Sequence, residues 1–274
     1  MVSGLLKKGK MLETKLLKFD NILKDLKSFV VAFSGGVDSS FLTYRAHSFK
    51  KLNVIAVTIR TPYIPAREIE EATEFIRVHD IKHEIIDIDF PGIIRNNPPD
   101  RCYLCKKALF SRLLSYASQN NYNYVVDGTN ADDTRDFRPG LRALQELGIR
   151  SPLMESGLTK NDIRYLLKKD GLPLWDKPAM ACLLTRIPYD TDVQENVLRM
   201  VEMAEQLFFE KGYPGTRVRI HGDLARIECL PGFMEKIVSD PDKGVIISEL
   251  KKIGFRYISL DLEGYRTGSL NPIK

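Results

Sequence analysis

Short apolar runs alternate with amphipathic segments along the first two thirds of the chain. Residues 29–33 are all apolar, which predicts a buried strand, and a helix is predicted to begin at Val37. Similar patterns predict a helix over 67–78 and further strands over 53–59, 83–88 and 124–126. Strands that alternate with helices predict an α/β fold, with a doubly wound parallel sheet covered on both faces.

The pattern changes near residue 190. A long amphipathic helix is predicted over 192–211, followed by two alternating strands over 216–221 and 224–229 that are joined by a two-residue turn. A helix over 244–253 and a strand over 256–260 complete a smaller C-terminal α+β domain. We therefore predict an N-terminal amphipathic helix over 1–28, an α/β domain over 29–190 and a C-terminal domain over 191–274 for substrate binding or oligomerisation.

The predicted hairpin places charged side chains together. A two-residue turn pairs Arg219 with Arg226 and Arg217 with Glu228, so these four side chains share one face of the strands. Three guanidinium groups beside one carboxylate suit phosphate or carboxylate binding, although a solvated face with a salt bridge gives the same pattern. Cys229 falls on the opposite, apolar face and is predicted to be a core residue.

The loop between the first strand and helix is rich in small residues. Residues 34–40 read Ser-Gly-Gly-Val-Asp-Ser-Ser, and a glycine turn before a helix N-terminus is an anion site. No Gly-Lys-Ser/Thr follows, as it does in the common triphosphate loop, and Asp38 lies inside the cradle, which predicts a Mg²⁺ ion beside phosphate. Other strand ends converge on the same crevice. The residues predicted to bind the phosphate-bearing ligand of this crevice are Ser34, Gly35, Gly36, Asp38, Ser39, Ser40, Thr58, Gly128 and Thr129.

Composition narrows the class of protein. Charged residues make up 28% of the 274 positions, hydrophobic residues make up 43%, and the net charge is +5. This is typical of a globular domain that binds small anions, and no basic block of nucleic-acid type or apolar run of membrane length occurs. The first 28 residues lack the features of a targeting peptide. We expect a cytoplasmic protein without a membrane or nucleic-acid partner.

Three cysteines are candidates for chemistry. Cys102 and Cys105 stand three positions apart, and Cys182 lies in a later Ala-Cys-Leu-Leu-Thr-Arg run. Three thiolates could hold three irons of a [4Fe–4S] cluster and leave the fourth iron open; a zinc site or a redox dithiol is also compatible with them. Lys106 and Lys107 adjoin the pair, with Arg101 and Arg186 near the three cysteines, and we expect these cations to lower the thiol pKa values.

Two resemblances follow from these motifs. The run SGGVDS resembles the signature of the ATP-pyrophosphatase, or PP-loop, superfamily, whose members split ATP into AMP and pyrophosphate. This resemblance implies that the ligand of the crevice is ATP, with its pyrophosphate at the SGGVDS loop and its adenine ribose near Thr58 and the DGTN turn. The whole chain resembles a narrower family, the LarE-type sulfur transferases, in motifs that occur in the same order. They are SGGVDSS, DRCYLCKK, DFRPG at 136–140, ACLLTR, TRVRIH, ARIE and GFRYISLDLEGYRTG at 254–268.

The LarE resemblance implies a substrate and a mechanism. It implies that the enzyme adenylates a carboxylate of pyridinium-3,5-biscarboxylic acid mononucleotide and converts it to a thiocarboxylate, in biosynthesis of a nickel-pincer nucleotide cofactor. It further implies that Arg217 and Arg219 bind the substrate phosphate and that the protein is a homo-oligomer, a hexamer. In some members the cysteine that matches Cys182 gives up its sulfur; in others, cysteines matching Cys102 and Cys105 join it on a [4Fe–4S] cluster.

The three-cysteine pattern favours the cluster as the sulfur carrier, with Cys182, Asp38, Lys106 and Lys107 as the catalytic residues. Direct transfer of sulfur from Cys182 is the alternative within this family. A PP-loop tRNA thiolase and a nucleotide-binding module without chemistry are alternatives of other kinds. The absence of an RNA-binding extension disfavours the thiolase, and Asp38 beside the phosphate loop disfavours the module.

Overall fold

A computed structural model of the protein describes residues 2–135, 139–178 and 181–266. Residues 136–138 of the DFRPG motif and the last two residues of the 254–268 motif, 267 and 268, lie outside the described residues. The chain forms two compact units. The first unit comprises residues 1–61, 66–91 and 100–180, and the second comprises residues 62–65, 92–99 and 181–274.

The first unit is built on a four-stranded parallel sheet in the order β3-β2-β1-β4. Its strands are β1 Ser28–Ala32, β2 Asn53–Arg60, β3 His83–Asp87 and β4 Tyr124–Val126. Each strand overlaps a predicted one, so the sequence-based prediction of these strands is confirmed. Because all four strands run in the same direction, the loops that follow them lie at one edge of the sheet.

Seven α-helices are described in this unit. They are α1 Val2–Leu26, α2 Val37–His47, α3 Ala66–Val78, α4 Arg101–Gln119, α5 Pro139–Glu146, α6 Pro152–Ser156 and α7 Lys160–Lys169. One apolar cluster joins α1, α2 and α3 to the sheet, and the ring centroids of Phe19 on α1 and Phe41 on α2 are 5.7 Å apart. Another joins α4 to the sheet through Phe110 and Leu113. The apolar face of α1 that the sequence predicts is thus part of the core.

The second unit contains a three-stranded sheet and three α-helices among its described residues. The elements are α8 Glu195–Glu210, β5 Arg217–His221, β6 Leu224–Glu228, α9 Pro231–Ser239, α10 Lys243–Ile253 and β7 Tyr257–Leu260. Strands β5 and β6 are antiparallel, with Arg219 opposite Arg226 and Arg217 opposite Glu228, as the turn length predicts. Strand β7 adds parallel to β6. Cys229 is fully buried, which confirms its prediction as a core residue.

The predicted fold class is confirmed: a parallel α/β domain with an additional small C-terminal sheet. The last change from one compact unit to the other falls at residues 180/181, whereas the sequence pattern places the domain boundary at 190/191. The domain assignment stays a prediction. None of the helices in the part of the chain that the structure describes is long and apolar enough to span a membrane.

Candidate functional site

The glycine loop has a conformation that only glycine accommodates. Gly35 has a φ of +68°, and a Cβ atom built on it would lie 2.7 Å from Cβ of Ala72 on α3. Both the backbone angle and the close contact therefore exclude a side chain. The backbone of the loop packs against α3, so the opposite side of the loop is the one that a ligand can reach.

The loop after β4 reaches the start of α2. A Cβ atom on Gly128 would lie 2.9 Å from the backbone nitrogen of Ser39, so this position must also lack a side chain. No side chain caps the N-terminus of α2, where Gly36 is the N-cap residue. An uncapped helix start beside a glycine-lined backbone is the geometry of an anion site. The structure thus brings the SGGVDS and DGTN segments together, as predicted.

Hydroxyl groups organise the inside of the loop. Oγ of Ser34 and Oγ of Ser39 are 3.1 Å apart, and the Ser39 hydroxyl donates to the carbonyl oxygen of Gly36 at 3.2 Å. Ser40 is fully buried, and its hydroxyl has no hydrogen-bond partner among the described residues. Only Ser34 of these three is exposed. The Ser39 hydroxyl therefore stabilises the loop, and the Ser34 hydroxyl is the one that solvent reaches.

Asp38 is the charged centre of this site. Its Oδ2 accepts hydrogen bonds from Nζ of Lys160 at 2.6 Å and from Nδ2 of Asn130 at 3.3 Å. Its Oδ1 is buried and has no hydrogen-bond partner among the described residues. Burial raises the pKa of the Asp38 carboxyl above its ordinary value, and the Lys160 ammonium offsets part of that rise. A buried carboxylate oxygen without a partner suits a Mg²⁺ ion, which proteins commonly hold with one or two carboxylates together with phosphate.

A second lysine contacts the loop itself. Nζ of Lys177 donates to the carbonyl oxygen of Gly35 at 2.9 Å and pairs with Glu71 of α3 at 2.8 Å, and its side chain is 9% exposed. Burial alone would raise the pKa of Glu71, but Lys177 and Arg67 lower it overall. Lys177 therefore places a positive charge at the loop, and its contacts with Gly35 and Glu71 fix the position of that charge.

Thr58 lies at the same sheet edge, but its hydroxyl serves the protein. It donates to the carbonyl oxygen of Phe33 at 2.9 Å and lies 2.9 Å from Nε2 of His83. Since the hydroxyl proton is used, His83 must donate to it through Nε2–H, and burial lowers the pKa of His83 and so favours the neutral ring. Thr129 likewise donates to Asp127 inside the chain. Contacts of these two residues with a nucleotide stay predictions.

Cys102 and Cys105 lie near the start of α4, one helical turn apart, and Cys102 is the more exposed of the two. Lys107 pairs with Glu146 at 3.0 Å and donates to the Tyr103 hydroxyl at 2.9 Å. Its charge is thus partly neutralised within α4 and α5. Lys106 packs its aliphatic chain near Gly140, where an added Cβ would lie 2.8 Å from Lys106 Cδ.

Cys182 belongs to the second unit, where three residues hold its segment by hydrogen bonds. The Leu183 backbone N–H donates to the carbonyl oxygen of Tyr63 at 2.8 Å. Nδ2 of Asn97 lies within hydrogen-bond distance, 2.8–3.2 Å, of three carbonyl oxygens, those of Leu184, Ile187 and Pro188. Nη1 of Arg186 lies 3.1 Å from the carbonyl oxygen of Cys182. The cysteine therefore sits on a backbone of fixed shape.

The arginine face of the β5–β6 hairpin is an ion-pair network. Arg219 is 4% exposed and binds Oε2 of the fully buried Glu228 through Nε and Nη2, at 3.1 and 2.9 Å. Arg226 binds the other oxygen of Glu228 at 2.9 Å. Arg217 lies 3.6 Å from Glu205 of α8. The face is thus neither solvated nor a set of unpaired cations, and phosphate binding by Arg217 and Arg219 stays a prediction.

Sequence reasoning did not identify Lys160 or Lys177 as site residues. Lys160 is the first residue of α7, whose start is fixed by a capping box between Thr159 and Asp162. The Thr-x-x-Asp spacing is visible in the sequence and predicts the helix start. No local signal places either lysine beside a loop more than 120 residues earlier. Among the described residues, no three of the His, Cys, Asp and Glu side chains are grouped so that they could hold a metal ion.

Comparison with known proteins gives matches over the whole chain and over its first half. The NAD synthase family matches residues 14–135. An uncharacterized protein of Synechocystis is 38% identical over 96% of this chain and 99% of its own length. The pyridinium-3,5-bisthiocarboxylic acid mononucleotide synthase of Lactiplantibacillus plantarum is 35% identical over 95% of each chain.

The chain belongs to the LarE family of pyridinium-3,5-bisthiocarboxylic acid mononucleotide synthases. One subunit of the glutamine-hydrolysing GMP synthase of Thermoplasma volcanium is 26% identical over 56% of this chain and 55% of its own length. The match to NAD synthase covers the same PP-loop domain. Membership of the PP-loop superfamily supports the use of ATP by this LarE-family chain. The geometry of its SGGVDS loop supports the same conclusion.

Proposed function

We propose that the protein is an ATP-dependent sulfur transferase that converts a carboxylate of pyridinium-3,5-biscarboxylic acid mononucleotide to a thiocarboxylate. The observation that carries this proposal is the buried Oδ1 of Asp38, which has no partner among the described residues and lies in a glycine-lined phosphate loop. The relative in Lactiplantibacillus plantarum, which aligns over 95% of the chain, supplies the substrate class.

The residues of the loop suit the formation of an acyl-adenylate. A carboxylate is a poor electrophile, and its attack on the α-phosphorus of ATP replaces an oxide leaving group by AMP. The charge that moves onto the expelled pyrophosphate would face the backbone of Gly35 and Gly36 and the start of α2. Lys160 and Lys177 bring two fixed positive charges to the same loop. Asp38 would hold Mg²⁺, which neutralises phosphate charge when it is bound.

The sulfur step is proposed to use Cys102, Cys105 and Cys182. The proposal of a [4Fe–4S] cluster is supported by the donor type, since thiolates are its usual ligands, and by the spacing of two of them, one helical turn apart on α4. Such a cluster would supply an open iron as a carrier of sulfide. Direct loss of sulfur from Cys182 is the other proposed route. Lys106 and Lys107 are proposed to stabilise negative charge near this step.

We also propose that Arg217 and Arg219 bind the substrate phosphate and that the protein is a homo-oligomer, a hexamer by its resemblance. Arg217 supports the first proposal, because its side chain is the more accessible of the two. Light scattering coupled to size-exclusion chromatography tests the second, and a monomer at micromolar concentration would contradict it.

The central experiment follows AMP, pyrophosphate and thiocarboxylate in one reaction with ATP, Mg²⁺ and the pyridinium mononucleotide. We expect pyrophosphate release to require the mononucleotide and product mass to show an oxygen-to-sulfur exchange. Asp38→Asn should reduce turnover by at least about a hundredfold, because charge stabilisation at the phosphates is lost. The exposed Asp89→Asn is the matched control and should keep full activity. Pyrophosphate release that is independent of the mononucleotide would overturn the proposed substrate.

Anaerobic iron and acid-labile sulfide analysis tests the sulfur route separately. Iron and sulfide that are present in the wild type and lost in Cys102→Ala and Cys105→Ala would support the cluster. Protein without iron that still forms one equivalent of product, with loss of sulfur at Cys182 in the mass spectrum, would instead support direct transfer.

A further inference from the structure

Helix α7 is connected to both lysines that lie at the glycine loop. Its first residue, Lys160, binds Asp38 directly at 2.6 Å. One turn later, on the same side of the helix, the guanidinium of Arg164 binds two backbone carbonyl oxygens. Its Nη1 donates to that of Trp175 at 2.6 Å, and its Nη2 donates to that of Lys177 at 2.8 Å. Arg164 therefore holds the backbone of the segment that carries Lys177.

The two carbonyl groups lie at the end of a short 3-10 helix. This helix spans Pro173–Asp176, and Lys177 is its C-cap residue. The last carbonyl groups of a helix have no partner within the helix, and an arginine side chain can supply one. A guanidinium is a planar fork that donates to two acceptors in parallel, whereas an ammonium group is a point charge on a flexible stem. The contact made by Arg164 thus uses a property that only arginine has.

Helix α7 is a rigid support for this fork. Its start is fixed by the capping box between Thr159 and Asp162. Its buried face contributes to the main apolar cluster of the unit through Ile163, Leu166 and Leu167. The half-buried ring of Trp175 packs against the same cluster, and Nζ of Lys168 lies 4.2 Å from the centroid of that ring. Both ends of the contact are therefore anchored in the core of the first unit.

Lys177 depends on its backbone for its position at the loop. Its Nζ lies between the carbonyl oxygen of Gly35, at 2.9 Å, and the carboxylate of Glu71, at 2.8 Å. The loop cannot follow a shift of the lysine, because the backbone of Gly35 already packs against Ala72. Glu71 has a second cationic partner, Arg67, at 2.7 Å, so it does not need Lys177 to stay paired. A displaced backbone at residue 177 would therefore remove the ammonium from the loop.

We propose that Arg164 is the positioning residue that holds Lys177 at the phosphate loop for ATP. This inference deepens the proposed function and rests on it. Arg164 acts through the backbone of residues 175–177, and the Lys177 ammonium is the group that faces the phosphates. Loss of Arg164 should therefore reproduce the loss of Lys177 in part, and it should have no effect on ATP binding once Lys177 is absent.

A double-mutant cycle tests this dependence, with the affinity for ATP and Mg²⁺ measured by isothermal titration calorimetry. Arg164→Met should weaken binding by roughly threefold to tenfold, as expected for lost hydrogen bonds that fix a charged group. The same change in a Lys177→Met background should weaken binding no further, because residues that act as a unit are not additive. Arg112→Met, at an exposed arginine of the same unit, is the matched control and should bind ATP as the wild type does.

Two results of this cycle would overturn the inference. Wild-type affinity in Arg164→Met would show that the contact with the segment is irrelevant to ATP. An equal loss in both backgrounds would show that Arg164 acts on ATP without Lys177.

Arg164→Lys separates the fork from its charge. It keeps a cation on α7 but loses the two parallel donors, so it should bind ATP more weakly than the wild type. Wild-type affinity in this variant would mean that charge alone matters and would also overturn the inference. Circular dichroism verifies the fold, and Arg164→Lys keeps the test valid should Arg164→Met unfold.

The position of Lys177 can also be measured without nucleotide. Burial raises the pKa of Glu71, and Lys177 and Arg67 lower it overall. Arg164→Lys leaves the charge of the protein unchanged, so a rise of the Glu71 pKa in this variant, read by carboxyl NMR, reports departure of Lys177. An unchanged pKa would overturn the inference. Failure of the wild type to bind ATP would instead contradict the proposed function and leave this NMR result intact.

Discussion

Nζ of Lys160 lies 2.6 Å from Oδ2 of Asp38, which joins the first residue of α7 to the first turn of α2. Burial raises the pKa of Asp38, and this ammonium opposes the rise. The ion pair thus keeps a half-buried carboxyl in the charged form that binding of a divalent cation requires. Its removal should be visible in the dependence of catalysis on pH.

Lys160→Met should move the acid limb of the pH–activity profile to higher pH. Without the ammonium the pKa of Asp38 rises further, so the carboxylate is lost at a higher pH. The same change affects stability. A carboxyl whose pKa in the folded state exceeds its ordinary value destabilises the folded state as pH rises above that ordinary value. The variant should therefore lose more free energy of unfolding over this pH range than the wild type does. Pyrophosphate release measured from about pH 5 to 9 checks the shift, with exposed Lys169→Met as the control. An unshifted acid limb would mean that another group titrates there.

Gly35→Ala should destabilise the first unit more than a substitution at an unobstructed glycine. Gly148 has a similar φ of +65° but no atom within 4 Å of its added Cβ, so Gly148→Ala should cost only the left-handed conformation, about 1–2 kcal/mol. At Gly35 the contact with Ala72 adds overpacking of about 1–3 kcal/mol. Urea unfolding compares the two, and adding Ala72→Gly should recover part of the difference. Equal losses at both positions would contradict the close approach.

Lys177→Met should weaken ATP binding by roughly tenfold, because a charged hydrogen-bond donor at the phosphate loop is lost. Isothermal titration calorimetry measures the affinity, and Lys169→Met is again the control. The variant should also remove part of the depression of the Glu71 pKa. A carboxyl with a lowered folded pKa contributes stability above its ordinary pKa and loses it as pH falls, so the variant should show a smaller loss of stability on acidification. Wild-type ATP affinity would exclude a role at the loop.

Arg219→Met should unfold the second unit more easily, by about 3 kcal/mol, because it removes one of the two arginines that pair with the fully buried Glu228. Adding Glu228→Gln should reverse part of this loss, since the uncompensated buried charge is then gone. Arg217→Met, at a more accessible pair, should cost less. Urea unfolding of the three variants tests the order. The comparison also separates loss of substrate binding from loss of structure.

Much of the architecture follows from local pattern. The four strands of the parallel sheet, the hairpin register and the convergence of SGGVDS with DGTN depend on apolar runs, a two-residue turn and glycines, all of which act over short stretches of sequence. The hairpin face was less predictable. Alternation places Arg217, Arg219 and Glu228 together, but it does not report that Glu228 is buried or that Glu205 reaches Arg217 from another element.

The unpredicted parts of the site depend on contacts between distant segments. Lys160 begins α7, and Lys177 lies in the segment that follows this helix. Only folding brings Lys160 to Asp38 and Lys177 to Gly35. Thr58 shows the converse: its position at a strand end suggests a ligand, whereas its hydroxyl is used by Phe33 and His83. Side-chain hydrogen bonding of this kind leaves no periodic signal in the sequence.

The chain passes between its two compact units five times, at 61/62, 65/66, 91/92, 99/100 and 180/181. The segment that carries Cys182 is held by Tyr63 and Asn97, which come from the two early excursions. A fragment that begins at residue 181 would lack both, and so would any chimera that grafts this C-terminal part onto another PP-loop domain. Exchange of C-terminal parts within the family must therefore carry residues 62–65 and 92–99 along with the cysteine they support.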